Sequence, residues 1–294
     1  MSTAGSPPDI AQREAMAMHS LSLIARQAQR HAVDTHGGRV VWRVFGQGRP
    51  LVLLHGGHGS WAHWARNTQT LAAQRMVCVP DMPGYGASDA TAEPTLPLLL
   101  QPLVGSLDTL LGSATRIDLA GFSFGGLVAA HVAARRGGVD RLALLGPGGH
   151  GGRRRPRAEL VGWRTAAQSG DTAALQQAMR HNLLAHMLHA EASVDALALA
   201  IHTQACLHTR FRSKPISRAG GLQELLPQAA RSLLLAWGEH DVTADPVPLA
   251  SALAACHPHC RTAIVPNAGH WVQYEAAPAI HTLLGPWLAA PTPH

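Results

Sequence analysis

The sequence predicts an α/β fold, a mostly parallel sheet with helices on both faces and one inserted helical segment. Three observations predict it. Apolar runs such as "PLVLLHG", "RMVCVPD", "RIDLAG", "RLALLGP" and "SLLLAWGEHD" recur along the chain, with helical patterns between most of them; that alternation builds parallel sheets. Several runs are apolar at nearly every position rather than at alternate ones, as strands covered on both faces require. Between residues 148 and 226 the rhythm stops and only helical patterns follow one another.

In chain order, residues 1–28 read as a Ser/Pro-rich tail followed by a helical stretch, "AQREAMAMHSLSLIARQAQR". That helix packs either on the body of the chain or on a partner chain, which leaves a homodimer open. Residues 29–147 and 227–294 form the core. "HAVDTH" and "RVVWRVFG", separated by "GG", read as a hairpin. The parallel strands follow, and "TAIVPNAGH" holds the last of them. Residues 148–226 open with the flexible, basic "GPGGHGGRRRP" and continue through "AELVGWRTAAQ", "DTAALQQAMRHNLLAHML" and "SVDALALAIHTQACLHTRFRSK", all helical in pattern. Such an insertion lies at the sheet's edge or over its carboxyl end, and it is read as a lid.

Of the 294 residues, 46% are hydrophobic and 14% charged, so disorder is not expected outside the ends. The formal charge is +6, from 24 basic and 18 acidic residues. One local cluster, "RRRPR" at Arg153–Arg157, has no stacking aromatics or nucleic-acid motif beside it; it reads as a solvated hinge, with no nucleic-acid partner. No window approaches the ~20 apolar residues of a membrane span, and the amino terminus lacks the basic start and apolar core of a signal. A cytoplasmic protein with no membrane partner is expected. Cys78 lies in an apolar strand as a small core residue. "CHPHC", Cys256–Cys260, has no second ligand pair at zinc-like spacing and reads as a helix-to-strand connection, so no metal and no cofactor are expected.

The chemistry concentrates at strand ends. "AGFSFGGL", residues 120–127, joins a buried strand to a helix and sets Ser123 between Gly121 and Gly125. A serine nucleophile needs an exposed oxygen, a base and donors for the developing oxyanion. A tight turn with small neighbours lifts its side chain above the sheet, and the helix amino terminus favours negative charge there. Asp241 follows the strand in "LLAWGEHD", and His270 follows the last strand in "VPNAGHWVQYE". Three suitable residues at three strand ends define a nucleophile, a base and its orienting acid. Gly57, in "LLHGGHGSWAHWARN", and Phe124, one residue past the serine, would supply the two oxyanion N–H groups.

On these motifs the chain resembles the α/β-hydrolase superfamily from about His31 to Leu288: "HGG" at 55–57, "DMPGYGASD" at 81–89, "GFSFGG" at 121–126, "WGEHD" at 237–241 and "AGHW" at 268–271. The resemblance implies Ser123 as nucleophile, His270 as general base and then acid, Asp241 as the residue orienting the imidazole, and a helical lid. Asp245 falls four residues beyond the family spacing for the acid. Serine at 123 sets the chain apart from the dehalogenase and epoxide-hydrolase branches, whose pattern has aspartate there. "SWAHWARN", "AGHWVQYE" and the segment from "NLLAHML" to "RFRS" are similar to the meta-cleavage-product hydrolases, which cut a carbon–carbon bond. Arg210 or Arg212 would then meet a substrate carboxylate. That group usually has asparagine just before the nucleophile, and here the residue is Phe122.

The expected activity is therefore hydrolysis of a carboxylic ester of a small to medium, largely apolar substrate through an acyl-enzyme. Carbon–carbon bond hydrolysis of 2-hydroxy-6-oxo-dienoates is the alternative enzyme reading. A lid-gated small-molecule binding protein with an inert triad is the alternative of another class. Trp61, Phe122 and Trp271 adjoin the catalytic elements and are expected as pocket walls. Met187 lines the pocket from the lid or packs within it, His58 touches substrate, and His63 is a solvated loop residue. Asp81 shapes its own turn.

Overall fold

The computed structural model describes residues 10–291. The chain opens with helix α1 (Ile10–Arg26) and the hairpin β1 (Gln29–Thr35) and β2 (Gly38–Phe45). Thr35 faces Gly38 across the hairpin turn, and Gly38 has φ +106°, where a side chain would be strained. Next come β3 (Pro50–Leu54), α2 (Thr68–Ala72), β4 (Met76–Asp81), α3 (Leu96–Leu111), β5 (Ile117–Phe122), α4 (Phe124–Arg136) and β6 (Val139–Leu145). No strand interrupts the following helices α5 (Arg164–Ser169), α6 (Thr172–His186), α7 (Ala196–His208), α8 (Lys214–Arg218) and α9 (Leu222–Leu225). The core resumes with β7 (Ser232–Gly238), α10 (Pro246–Ala254), β8 (Cys260–Val265), α11 (Val272–Glu275) and α12 (Ala277–Ala289).

The eight strands pair in the order β1-β2-β4-β3-β5-β6-β7-β8; the pairs from β4 to β8 are parallel, and β2 joins antiparallel to β1 and β4. After β3 the chain steps to one side for β4 and then to the other for β5. The order reverses there, so a crevice opens beyond the carboxyl ends of β3 and β5. Both loops that begin the candidate site, at Gly56–Gly57 and at Ser123, leave from these two ends.

Residues of β3, β5, β6 and β7 are buried throughout, and their side chains alternate between two cores. Val52, Leu54, Leu119, Leu233 and Leu235 face one layer; Leu51, Leu53, Ala120, Phe122 and Leu234 face the other. Each fully buried leucine contributes about 1.5–3 kcal/mol of transfer free energy, so these two-faced strands explain the unbroken apolar runs. At the amino ends of β5 and β6, Asp118 accepts from Arg49 (3.1 Å) and Arg75 (2.8 Å), and Asp140 pairs with Arg49 and Arg116. The carboxylates at this end of the sheet are thus spent on arginines far from the carboxyl-end crevice.

The amino-terminal helix packs on the body of the chain, against α7; Leu21, Ile24 and Ala25 join the second core. Residues 1–9 of the expected tail lie outside the described residues. One helical expectation fails. "AELVGWRTAAQ" is helical only from Arg164, and residues 153–163 run as an irregular strap. Asn182 explains it: its side chain accepts from Val161 N (2.8 Å) and donates to Val161 O (2.9 Å), occupying both backbone groups that a helix would use. Cys256–Cys260 joins α10 to β8, where His257 is bonded to Ala230 O and to His259 N. No helix among the described residues is long and apolar enough to cross a membrane.

Candidate active site

Ser123 occupies the turn between β5 and α4 with φ 55° and ψ −120°, a conformation that costs a non-glycine residue on the order of 1–3 kcal/mol. The surroundings hold it there. Its N–H donates to Leu145 O (2.9 Å), and its carbonyl accepts from Gly126 N (2.9 Å) and Gly148 N (2.8 Å). The glycines are steric necessities: a Cβ on Gly121 would lie 2.3 Å from Gly125 O, and one on Gly125 would lie 2.2 Å from His55 O. The strand-to-helix turn closes only because backbone meets backbone at both points.

His270 Nε2 lies 2.9 Å from Ser123 Oγ, and its Nδ1 lies 2.8 Å from Asp241 Oδ2. With Asp241 ionised, Nδ1 carries the proton and Nε2 presents its lone pair to the serine hydroxyl. Asp241 Oδ1 accepts from both Thr243 N and Thr243 Oγ1 at 2.7 Å. Full burial works against ionisation of this carboxyl, but its electrostatic interaction with the His270 ring and the hydrogen bonds from His270 and Thr243 overcome it and hold its pKa below the ordinary value. Asp245 stands apart, at the residue preceding α10, and pairs with Arg155 (3.1 Å). Gly146 closes the rear of the site, since a Cβ there would lie 2.9 Å from Asp241 Oδ2.

Gly57 and Phe124 line the same cavity as Ser123, and among the described residues neither backbone N–H donates to an acceptor. The loop after β3 is shaped by two histidines. His55 Nδ1 bonds to Gly56 O (2.8 Å) while its Nε2 accepts from Met82 N (3.0 Å), and burial pushes its pKa down to about 4. His63 is buried rather than solvated, a correction to the sequence reading. Its Nδ1 accepts from Gly56 N (3.2 Å), and burial first, then neighbouring histidines, lower its pKa well below the usual value. Asp81 shapes its turn as expected, accepting from Trp61 N, Ala87 N and Arg43.

The cavity over Ser123 measures about 550 Å³. Its floor is Phe122, whose ring packs 4.9 Å from that of His270, and its roof comes from α6, α7, the 153–163 strap and α8. His58, Phe122 and Met187 line it; Trp61, Trp271, Arg210 and Arg212 do not. Trp61 and Trp271 belong to the second core behind the site, and the Trp271 indole donates to His63 O (3.0 Å). Arg210 turns to the loop after β4, where it bonds Ser88 O and Gly86 O. Arg212 lines an adjoining outer cleft that shares His58, Arg164, Ser213 and Lys214 with the cavity. The arginines that do line the cavity are Arg154, Arg157, Arg164 and Arg218. Two of them belong to the cluster read as a solvated hinge, so charge density alone misassigned them.

Sequence reasoning also passed over His186 and His202 on the roof. Burial pushes them down to about 3 and about 4, with a smaller push from His270 on the first and His58 on the second. In a chain with 19 histidines nothing local marks these two. Thr243 was missed as well, although its place two residues after Asp241 is the spacing of a side chain that closes back on a turn.

A doubly covered sheet with a serine, histidine and aspartate relayed at its strand ends defines the class of the α/β hydrolases. The chain belongs to the alpha/beta hydrolase family, whose model matches residues 51–280. It is similar to 2-hydroxymuconate semialdehyde hydrolase of Pseudomonas sp. (strain CF600), 39% identical over 110 residues, 35% of this chain and 38% of that protein. It is also similar to pimeloyl-[acyl-carrier protein] methyl ester esterase of Vibrio cholerae serotype O1, 40% identical over 93 residues, 31% of this chain and 34% of the relative. The matched stretches thus span little more than a third of either relative's length. The crystal structure of naproxen esterase (carboxylesterase NP) from Bacillus subtilis shares the fold, with a TM-score of 0.73 over 97% of this chain and 100% of that one at 19% identity.

Proposed function

We propose that the chain is a serine hydrolase that cleaves a carboxylic ester through an acyl-enzyme. The observation that carries this reading is the relay from Ser123 Oγ to His270 Nε2 (2.9 Å) and from His270 Nδ1 to Asp241 (2.8 Å). Ser123 Oγ attacks the carbonyl carbon as its proton passes to His270 Nε2. The oxyanion is held by the backbone N–H groups of Gly57 and Phe124. Collapse returns the proton from His270 Nε2 to the departing alkoxide and leaves Ser123 acylated. Water, deprotonated by the same nitrogen, then attacks the acyl carbonyl; the bond to Ser123 Oγ breaks as His270 Nε2 returns the proton to that oxygen, which restores the serine hydroxyl and releases the carboxylic acid. Asp241 keeps Nδ1 protonated and stabilises the imidazolium between these steps. The helical interval acts as a lid over the cavity.

Carbon–carbon bond hydrolysis of a vinylogous 1,5-diketone is the second reading. The cationic roof favours it, because dienoate substrates of this kind carry a carboxylate. Phe122 speaks against it by placing an apolar ring under the base. The same serine would attack a ketone, with a carbanion in place of the alkoxide taking the proton from His270.

The test is turnover of graded p-nitrophenyl esters beside a 2-hydroxy-6-oxo-dienoate, with Ser123→Ala as control and fluorophosphonate labelling of Ser123 in parallel. Serine-dependent ester cleavage without dienoate cleavage supports the first reading. Efficient dienoate cleavage with feeble ester turnover moves the assignment to the second. Failure to label Ser123, with neither substrate consumed, leaves a binding protein with an inert triad.

A further inference from the structure

The cavity over Ser123 contains Arg154, Arg157, Arg164, Lys214 and Arg218, and no aspartate or glutamate is among the residues lining it. None of the five cations forms an ion pair among the described residues. The contrast lies within the same molecule: Arg49, Arg75, Arg116 and Arg141 are all paired with Asp118 or Asp140 at the opposite end of the sheet. The carboxylates nearest the cavity are already committed, Asp241 to His270 and Thr243, and Asp245 to Arg155.

The cations fall into two groups. Arg164 and Lys214 also line the outer cleft with His58, Arg210 and Arg212, and together they make a positive mouth that would raise the local concentration of anions. Arg154 is half-buried and close enough to His150 for its charge to help lower that imidazole's pKa. Burial, and then the charge of Arg218, lower the pKa of Arg154 from the usual arginine value; the Asp241 carboxylate pulls the other way, and Arg157 adds a smaller lowering push, so Arg154 lies within electrostatic reach of both arginines. Arg154 is half-buried while Arg157 and Arg218 are exposed, so solvent screens only part of the repulsion among them, and none of the three has an ion-pair partner among the described residues. A bound anion removes that repulsion. Apolar surface from Phe122, Leu160, Val161, Trp163 and Met187 lines the same space, so the ligand that matches the cavity has an apolar body and one anionic end.

We infer that Arg154, Arg157 and Arg218 form an anion subsite, and that the substrate is an apolar acyl compound bearing an oxyanion group away from its scissile carbonyl. A carboxylate and a phosphate present the same forked acceptor to a guanidinium. This inference rests on the hydrolase reading for its substrate, but the subsite itself can be read without turnover.

The experiment compares p-nitrophenyl hexanoate with mono-p-nitrophenyl adipate, equal in chain length and differing in the terminal carboxylate. The anionic ester should show a kcat/KM at least tenfold higher at low salt. The ratio should fall as salt screens the charges and shrink towards unity in Arg154→Gln/Arg218→Gln, chiefly through KM. Because the ratio is internal to each variant, a general loss of activity does not mimic the result, and melting temperatures check folding. Hexanoate and hexyl phosphate as competitive inhibitors distinguish the two anions. A ratio near one in the native protein overturns the inference while leaving the hydrolase standing. If no ester is cleaved and Ser123 resists fluorophosphonate, the hydrolase reading has failed; calorimetric titration with adipate and hexyl phosphate then decides the subsite. Binding weakened tenfold or more by the double substitution supports it, and no binding of either anion by the native protein overturns it.

Discussion

Trp271 donates its backbone N–H to the carbonyl of Met187 at 2.7 Å, so the loop carrying His270 is fastened to the end of roof helix α6. Glu275 reinforces the join, for its carboxylate accepts from Gly269 N (2.7 Å) on the histidine loop and from His189 N (3.0 Å) and Ala190 N (2.8 Å) on the roof. Charge-assisted bonds of this kind are among the stronger ones. Glu275→Ala removes the acceptor from a buried Gly269 N–H, at a cost of about 1–3 kcal/mol. The displaced imidazole should also lower kcat, by about 10–100-fold. Glu275→Gln keeps one acceptor oxygen and should lose much less. Steady-state kinetics and thermal melting of the two variants check this, and equal kcat values for both would show that the join does not position the base.

Ser123 sits at φ 55° only because its neighbours force it to. Glycine adopts that geometry without the Cβ penalty. Ser123→Gly should therefore abolish turnover while stabilising the fold by about 1–3 kcal/mol, raising Tm by a few degrees. Ser123→Ala, which keeps the Cβ, should lose turnover alike and gain no such stability. Melting curves of the two variants side by side separate strain from chemistry.

Thr243 links the acid and the base, with its hydroxyl 2.7 Å from Asp241 Oδ1 and 3.1 Å from His270 Nδ1. Asp241→Asn should cost about 10⁴-fold in kcat, since an amide at that position favours the wrong imidazole tautomer. Thr243→Val leaves the backbone donor to Asp241 in place and removes one bond of about 1.5–3 kcal/mol, so a loss of about tenfold in kcat is expected. Asp245→Asn should change kcat by less than about twofold, because that carboxyl reaches Arg155 and not His270. A severe loss in Asp245→Asn would reverse the choice of acid.

Chain order and strand ends made Ser123, Asp241 and His270 legible, because a parallel sheet delivers every strand's carboxyl end to one side of the molecule. The glycine turn was legible for a local reason, the steric demands at Gly121 and Gly125. Pocket lining was much less so. Trp61 and Trp271 adjoin the site in sequence, yet their side chains leave on the core side of their loops. Arg154 and Arg157 lie in a stretch whose composition suits solvent, and the strap's tie to Asn182 brings them over the cavity. That tie spans 21 residues and has no periodic signature. Arg210 and Arg212 had the right chemistry and the wrong direction, which a helix pattern cannot settle beyond its last turn at His208.

The buried histidines make stability depend on pH in a predictable direction. Burial lowers the folded pKa of His55 and His202 to about 4 and that of His186 to about 3, whereas an unfolded chain binds these protons near the ordinary histidine value of about 6.5. Below that value the unfolded state takes up protons that the folded state refuses. The stabilisation is therefore fully present above about pH 6.5 and is lost as pH falls towards the folded values, at about 1.4 kcal/mol per unit for each such histidine. Tm should drop steeply between pH 7 and pH 5, well before carboxylates titrate. His202→Gln, which removes one of these groups, should flatten the slope while shifting the pH 7 value far less. Melting curves at half-unit intervals check both, and a Tm unchanged from pH 7 to pH 5 would mean that these imidazoles are not held neutral.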